Sequence, residues 1–170
     1  AWAVPVAVCG AIWLLLPRGF PARWVGAVMM LPLFLAVPAQ IPSGELRLTV
    51  LDVGQGLAVV VRTREHALLY DSGPALTDQI NAGERIVVPY LRGAGIRRLN
   101  AMVISHDHTD HSGGALSVLQ AMPVEWLASS LPQDHAISVA AIRSRYCGAG
   151  ESWRWDDVVF EFLYPQPSDY

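Results

Sequence analysis

From Val103 to Gly114 the chain reads Val-Ile-Ser-His-Asp-His-Thr-Asp-His-Ser-Gly-Gly, so His106, His108, Asp110 and His111 fall within six residues. Imidazole suits Zn, Fe or Ni, and carboxylate suits harder ions. In an extended loop residues two apart project the same way, which lets His106 and His108 grip one ion together. Asp110 and His111 come at the turn into a helix and point elsewhere, towards a second ion nearby. Two ions roughly 3.5–4 Å apart could hold a bridging hydroxide and clamp an in-line displacement. The chemistry this predicts is metal-assisted hydrolysis, with bound water ionising near neutral pH. A plain surface histidine loop is the alternative. It leaves unexplained why the cluster sits between the apolar run Leu99 to Ile104 and a Gly-Gly that opens an amphipathic segment.

The flanking elements must position these side chains. Leu99 to Ser105 reads as the strand that delivers the motif. Gly113 to Met122 reads as the helix after it, with Ala115, Leu116 and Leu119 on one face. Val124 to Ala128 is the next strand. Upstream, Leu46, Leu48, Val50 and Val53 begin a strand, and Gly54-Gln55-Gly56 is expected to make a tight turn because Gly tolerates positive φ. Leu57 to Thr63 and His66 to Tyr70 follow as strands, the second ending at Asp71-Ser72-Gly73. This is a β-meander suited to half of a layered α/β sandwich. Gly83 to Gly95 reads as a helix with Pro89 near its middle. Asp134 to Tyr146 reads as another, begun by an acidic residue near its N-terminus. Trp153 to Trp155 and Val158 to Leu163 read as a hairpin turning at Asp156-Asp157.

Charge is unevenly spread. Arg18 and Arg23 are the only charged residues before Glu45, and Lys is absent. Beyond that point ten arginines face fifteen carboxylates, a balance of −5. Such a module does not advertise binding to a phosphate backbone. The 52% of hydrophobic residues and mean hydropathy of +0.32 point to a membrane part. Residues 1–39 hold two apolar stretches around a basic turn, and about 20 residues cross a hydrocarbon core of roughly 30 Å. Two transmembrane helices are therefore expected, with 40–44 as linker and 45–170 as the next domain. The Arg18/Arg23 turn would be cytoplasmic, which puts the domain after Gly44 outside the cytoplasm. A signal peptide fits less well, since it carries one apolar stretch rather than two. Cys9 and Cys147 form no C-x-x-C and indicate neither a zinc knuckle nor a redox pair.

The motif residues resemble the H-x-H-x-D-H signature of the metallo-β-lactamase superfamily, an αββα fold. Leu51-Asp52-Val53-Gly54-Gln55-Gly56, Leu69-Tyr70-Asp71-Ser72-Gly73 and Val87-Val88-Pro89-Tyr90-Leu91 resemble its ComEC-type branch, membrane proteins of bacterial DNA uptake. The likeness runs from about Glu45 to Pro165. Two departures stand out: Leu57 replaces an acidic residue after G-Q-G, and His108 stands where many of that branch carry Asp.

The resemblance implies one or two divalent ions, Zn or Mn, held by His106, His108, Asp110 and His111. Asp110 would hold the second ion or orient the hydroxide. It implies that Asp71 braces the motif loop rather than binding metal. Asp52 would cap the glycine turn or face the site edge. His66 and His135 read as ordinary surface histidines. The later ligands of the superfamily cannot be placed, so the chain is expected to be the first half of the sandwich, a slice of a larger multi-pass protein of the bacterial inner membrane. Alone it is expected to bind metal weakly and hydrolyse nothing. The parent would cut DNA phosphodiesters, with single-stranded DNA as partner. A structural lid on a DNA channel and a hydrolase of another bond, lactam or thioester, are the alternatives.

Overall fold

The structure is a computed structural model that describes residues 2–17, 19–35, 40–77, 80–166 and 169. Its contacts divide the chain into two units, Ala1–Gln40 and Ile41–Tyr170.

The first unit pairs α1 (Ala3–Leu15) with α2 (Trp24–Leu35). Their outer surfaces are apolar, with Val4, Val8, Ile12, Val28, Leu31 and Phe34 exposed. At the crossing, a Cβ on Gly10 would lie 2.6 Å from the Gly26 carbonyl oxygen, and the reverse holds at the same distance. Only residues without a side chain let the backbones approach so closely. α1 stops because Pro17 drives Leu16 into extended backbone, φ −60° and ψ 152°. The two transmembrane helices expected over 1–39 are not what this unit builds. The helices have 13 and 12 residues. At 1.5 Å per residue each is about 20 Å long or less, against roughly 30 Å of hydrocarbon. Among the described residues no helix is long and apolar enough to cross a membrane. Arg18, half of the basic turn, and residues 36–39 lie outside the described residues; Arg23 donates to the Leu14 carbonyl.

In the second unit β1 (Arg47–Val50), β2 (Val59–Arg62) and β3 (Ala67–Tyr70) form an antiparallel meander. β4 (Ala75–Thr77) and β5 (Ile80–Asn81) make a small ladder of their own, whose joining residues 78–79 are not described. A π-helical turn, Gly83–Val87, runs into α3 (Val88–Gly93). Then come β6 (Leu99–Ile104), α4 (Thr109–Ser112), α5 (Ala115–Ala121), β7 (Val124–Ser129), α6 (Ala136–Ala140) and β8 (Ser144–Tyr146). β9 (Ser152–Trp155) and β10 (Val158–Glu161) close as a hairpin. The main sheet has six strands in the order β1-β2-β3-β6-β7-β8, with β3, β6, β7 and β8 parallel.

β6 is the axis of this mixed α/β unit, and all six of its residues are buried. Side chains alternate along a strand. Met102 and Ile104 therefore join Leu69 and Leu127 against Leu91, Val118 and Ile137 on the helical side. Ala101 and Val103 join Leu68 and Ala128 on the other face, under Trp126, Trp153, Trp155 and Phe162. A parallel strand covered on both faces reads as one apolar run, as Leu99 to Ile104 does. The hairpin covers the middle of that second face. Leu48 and Val50 on β1 stay 57% and 62% exposed, beside an apolar groove of about 360 Å³.

Three expectations change. The helix expected over Asp134 to Tyr146 lasts only from Ala136 to Ala140, because Ala141 is extended and Ser144–Tyr146 becomes the sheet's edge strand. The open edge of β7 supplied unpaired backbone groups, now met by Leu127 N to Arg143 O at 2.8 Å and Cys147 N to Ser129 O at 3.0 Å. The helix over Gly83 to Gly95 is split by Pro89, which has no N–H for the carbonyl four residues back. Val88 instead donates to Gly83, five back, and α3 starts with the proline in its first turn, where no donor is required. Gly54-Gln55-Gly56 is not a tight hairpin turn. It is the tip of a loop closed by Leu51 N to Ala58 O at 2.9 Å.

Candidate metal centre

β6 ends at Ile104 and hands the chain to the histidine loop at the carboxyl end of the parallel strands. His108 is extended (φ −95°, ψ 141°) and its carbonyl accepts from His111 N and Ser112 N, both at 2.9 Å, which starts α4. The turn brings His111 back over the loop. Its ring centroid lies 4.2 Å from that of His106, and His106 lies 4.6 Å from His108. Asp110 places Oδ2 3.6 Å from His111 Nε2. The four motif side chains thus share one loop surface, with His111 as near to His106 as His108 is.

Asp71 lies beneath that surface and is fully buried. Its backbone is left-handed, φ 56°, a conformation Asp tolerates better than most residues. Oδ1 accepts from Ser105 N at 2.8 Å, and Oδ2 accepts from Ser105 Oγ at 2.8 Å and from His111 Nδ1 at 2.7 Å. A carboxylate only accepts, so His111 carries a proton on Nδ1, and in the neutral ring the lone pair is on Nε2. Ser105 Oγ also lies 2.9 Å from His106 Nδ1. Its one proton is committed to Asp71, so it accepts from His106 Nδ1–H, and in the neutral ring of His106 the lone pair, the one a metal ion would take, is likewise on Nε2. One buried carboxylate therefore sets two imidazole tautomers, one directly and one through a hydroxyl. Ser72 completes the brace, giving both N–H (2.8 Å) and Oγ (2.9 Å) to the His111 carbonyl.

Close backbone packing fixes the loop from the side. A Cβ on Gly56 would collide with the Asp110 carbonyl, and Leu57 N donates to that same carbonyl at 3.1 Å. The glycine loop after β1 is thus held against the motif. Asp52 is exposed in that loop and accepts from Gly54 N at 3.3 Å, an Asx-type turn. No hydrogen bond or ion pair joins it to the histidines among the described residues. His135, set aside as a surface residue, lies beside the motif: its Nε2 is 3.5 Å from Asp107 Oδ2, while Nδ1 accepts from Ile137 N and caps α6. Parallel pairing of β7 with β6 brings their following loops together, which spacing along the chain does not reveal. Ser105, Ser72 and Ser130, whose Oγ donates to the Ser105 carbonyl at 2.7 Å, also escaped the sequence reading.

Two concavities flank the loop. One of about 410 Å³ is lined by Ser105, His106, Ser130, Cys147 and Tyr164. Burial pushes the Cys147 thiol up to about 11, so it is protonated at neutral pH and a poor metal ligand. The other, about 680 Å³ and open, is lined by Gln55, Gly56, Thr109 and Asp110.

The donor chemistry fits a divalent transition ion. Two imidazoles present Nε2, one Nδ1 is braced by a carboxylate in the way metal-ligating histidines are, and a carboxylate stands alongside. Among the described residues, no three such groups already converge as a ligand set.

Residues 51–159 match the Metallo-beta-lactamase superfamily. The chain is 40% identical over 162 residues to "Competence protein ComA" of Neisseria gonorrhoeae, covering 94% of the chain and 21% of the relative. It is 35% identical over 115 residues to "Recombination protein 2" of Haemophilus influenzae, covering 68% and 14%. It is 26% identical over 148 residues to "ComE operon protein 3" of Bacillus subtilis, covering 75% and 19%. The chain thus spans about a fifth or less of the length of these curated relatives. The matched region runs from the Leu51 loop to the β9–β10 hairpin and takes in the whole braced histidine loop, and the chain belongs to the metallo-beta-lactamase superfamily, in its ComEC-type competence-protein branch.

Proposed function

We propose that this chain carries the metal-binding part of a ComEC-type hydrolase that cuts DNA phosphodiester bonds during uptake. The observation that carries the reading is the Asp71 network, which commits Nδ1 of His111 and of His106 and leaves the lone pair of each neutral ring on Nε2. The relatives are named for competence and recombination, processes in which DNA is handled, and this supports DNA as the partner.

His106, His108 and His111 would hold the ion, Zn or Mn, with Asp110 as a further ligand or as the group orienting the attacking water. A bound ion would bring the pKa of that water to near neutrality and offset charge on a phosphoryl oxygen. Asp71 would keep His111 in its Nδ1–H tautomer throughout. Asp110, half-exposed beside His111 Nε2, would accept a proton from the water and pass it to solvent. Half-buried Ser105 would hold His106 against rotation.

The apolar outer surface of α1 and α2 supports a membrane-associated protein, of the bacterial inner membrane by the resemblance to the ComEC-type branch. The Arg18/Arg23 turn, read as cytoplasmic, is what supports placing the sheet unit outside the cytoplasm. A reporter active only outside the cytoplasm, fused after Gly44, is expected to be active; silence reverses the topology.

One observation favours a second reading. Since no three donors among the described residues converge, the unit would also serve as a structural lid on a DNA channel. The complete protein, loaded with Mn or Zn and given single-stranded DNA, separates the two. Metal-dependent cleavage lost in His106→Ala and in His108→Ala supports the hydrolase. Metal bound without cleavage, with uptake intact in the double variant, favours the lid. Absence of any ion at these side chains overturns the hydrolase.

A further inference from the structure

At the opposite end of β6 from the histidine loop, a pocket of about 170 Å³ is lined by Arg62, Arg64, Arg97 and Arg98. Arg62 and Arg64 come from the end of β2 and the turn after it. Arg97 and Arg98 come from the approach to β6. The parallel pairing of β3 with β6 joins these two segments at one sheet end. Six strand residues, about 20 Å at 3.3 Å each, separate this pocket from the histidine loop.

Arg64, Arg97 and Arg98 are exposed, and Arg62 is half-buried with Nη1 at 3.4 Å from the Ala94 carbonyl. Among the described residues none of the four forms an ion pair. Nearby carboxylates are occupied elsewhere or outnumbered. Asp156 accepts from Thr63, Glu65 N and His66, and Glu125 accepts from Asn100. Glu65 alone among carboxylates lines the pocket. In a unit of net charge −5, this end concentrates four of the ten arginines. The overall charge repels DNA while this concavity attracts it.

We propose that this pocket binds backbone phosphates of single-stranded DNA, away from the candidate metal centre. The assignment rests on the nucleic-acid reading above. Guanidinium forks match phosphate oxygens two by two. A concavity of about 170 Å³ rimmed by guanidinium groups admits a phosphate group. Four cations also exceed what one phosphate neutralises, so the rim suits successive phosphates of a strand rather than a free ion.

The test uses the whole chain in EDTA, so that binding is read without cleavage, with a short fluorescent oligothymidylate and a series of salt concentrations. Four phosphate contacts predict a slope of log K against log salt of about −3 for a single strand. Arg97→Gln/Arg98→Gln is expected to weaken binding and flatten the slope by about 1.4. Arg85→Gln/Arg154→Gln removes the same charge elsewhere and is expected to leave the slope unchanged. An unaltered slope in the first double variant overturns the proposal, as does equal flattening in the second. Inorganic phosphate that saturates the pocket as tightly as the oligonucleotide assigns it to the free ion. Arg97- and Arg98-dependent retention on phosphatidylglycerol vesicles without oligonucleotide binding assigns it to lipid. Either result overturns the DNA assignment. The hydrolase reading is judged separately by metal-loaded cleavage, so the two fail independently.

Discussion

Asp71 and Asp156 stand at the two ends of β3 and do nearly the same thing. Both have left-handed backbones, φ 56° and 49°. Each carboxylate accepts three hydrogen bonds, one from a histidine Nδ1. For Asp71 the donors are Ser105 N, Ser105 Oγ and His111; for Asp156 they are Thr63 Oγ1 (2.6 Å), Glu65 N (2.8 Å) and His66 (3.0 Å). What differs is the other side of each imidazole. His66 lies flat on Trp155, centroids 5.0 Å apart and planes 6° apart. His111 turns Nε2 to Asp110 among two other imidazoles. The Asp156 arrangement is a clasp. It fastens the β9–β10 turn to the β2–β3 turn, and Gly44 N donates to its carbonyl at 2.7 Å. A carboxylate–histidine pair is thus no sign of a metal site by itself. The surroundings of the far nitrogen decide.

That contrast breaks if Asp71 proves as dispensable as a surface group. Asp71→Ala strands three partly buried donors and is expected to cost about 3 kcal/mol or more by urea unfolding. Zinc affinity, read by competition with a chromophoric chelator, is expected to fall about 10–100-fold. Ser105→Ala removes one bond to a charged group. It is expected to cost about 2 kcal/mol. Histidine ¹⁵N shifts would then show His106 losing its single tautomer, and Ser105→Thr would restore it.

Asp156 sharpens the comparison through pH. Hydrogen bonds from His66 first, then Thr63 and the Glu65 backbone, hold its carboxyl well below the usual range. The folded pKa lies below the unfolded value, so the clasp's contribution is complete above about pH 4 and is lost as pH falls towards the folded pKa. Fluorescence of Trp153 and Trp155 is expected to stay constant from neutral to mildly acid conditions and to change only in strong acid. In Asp156→Asn that acid change disappears, and zinc affinity stays at the wild-type value. The smallest effect is expected for His135→Ala: about 0.5 kcal/mol from an exposed pair, with metal affinity within about twofold.

Some features are legible from one dimension because their causes are local. The apolar run of β6 announces a strand covered on both faces, and the meander strands β2 and β3 show in their own apolar runs. H-x-H-x-D-H puts four donors on one short loop whatever surrounds it. The aromatic hairpin turns at Asp156-Asp157 because its own residues demand it. Where partners are distant, the chain misleads. Ser144–Tyr146 looked helical and became a strand because β7 offered an open edge, and α1 and α2 looked like spans although Pro17 ends the first early. Ser105 appeared as the last residue of a strand. Its function as a relay exists only because β3 and β6 run side by side and set Asp71 beneath it. The four arginines are 33 or more residues apart across the two pairs and mean little until that pairing gathers them. Residue type and local spacing named the donors. Only long-range strand pairing, through contacts no window of sequence contains, decided which protons they keep and what each imidazole faces.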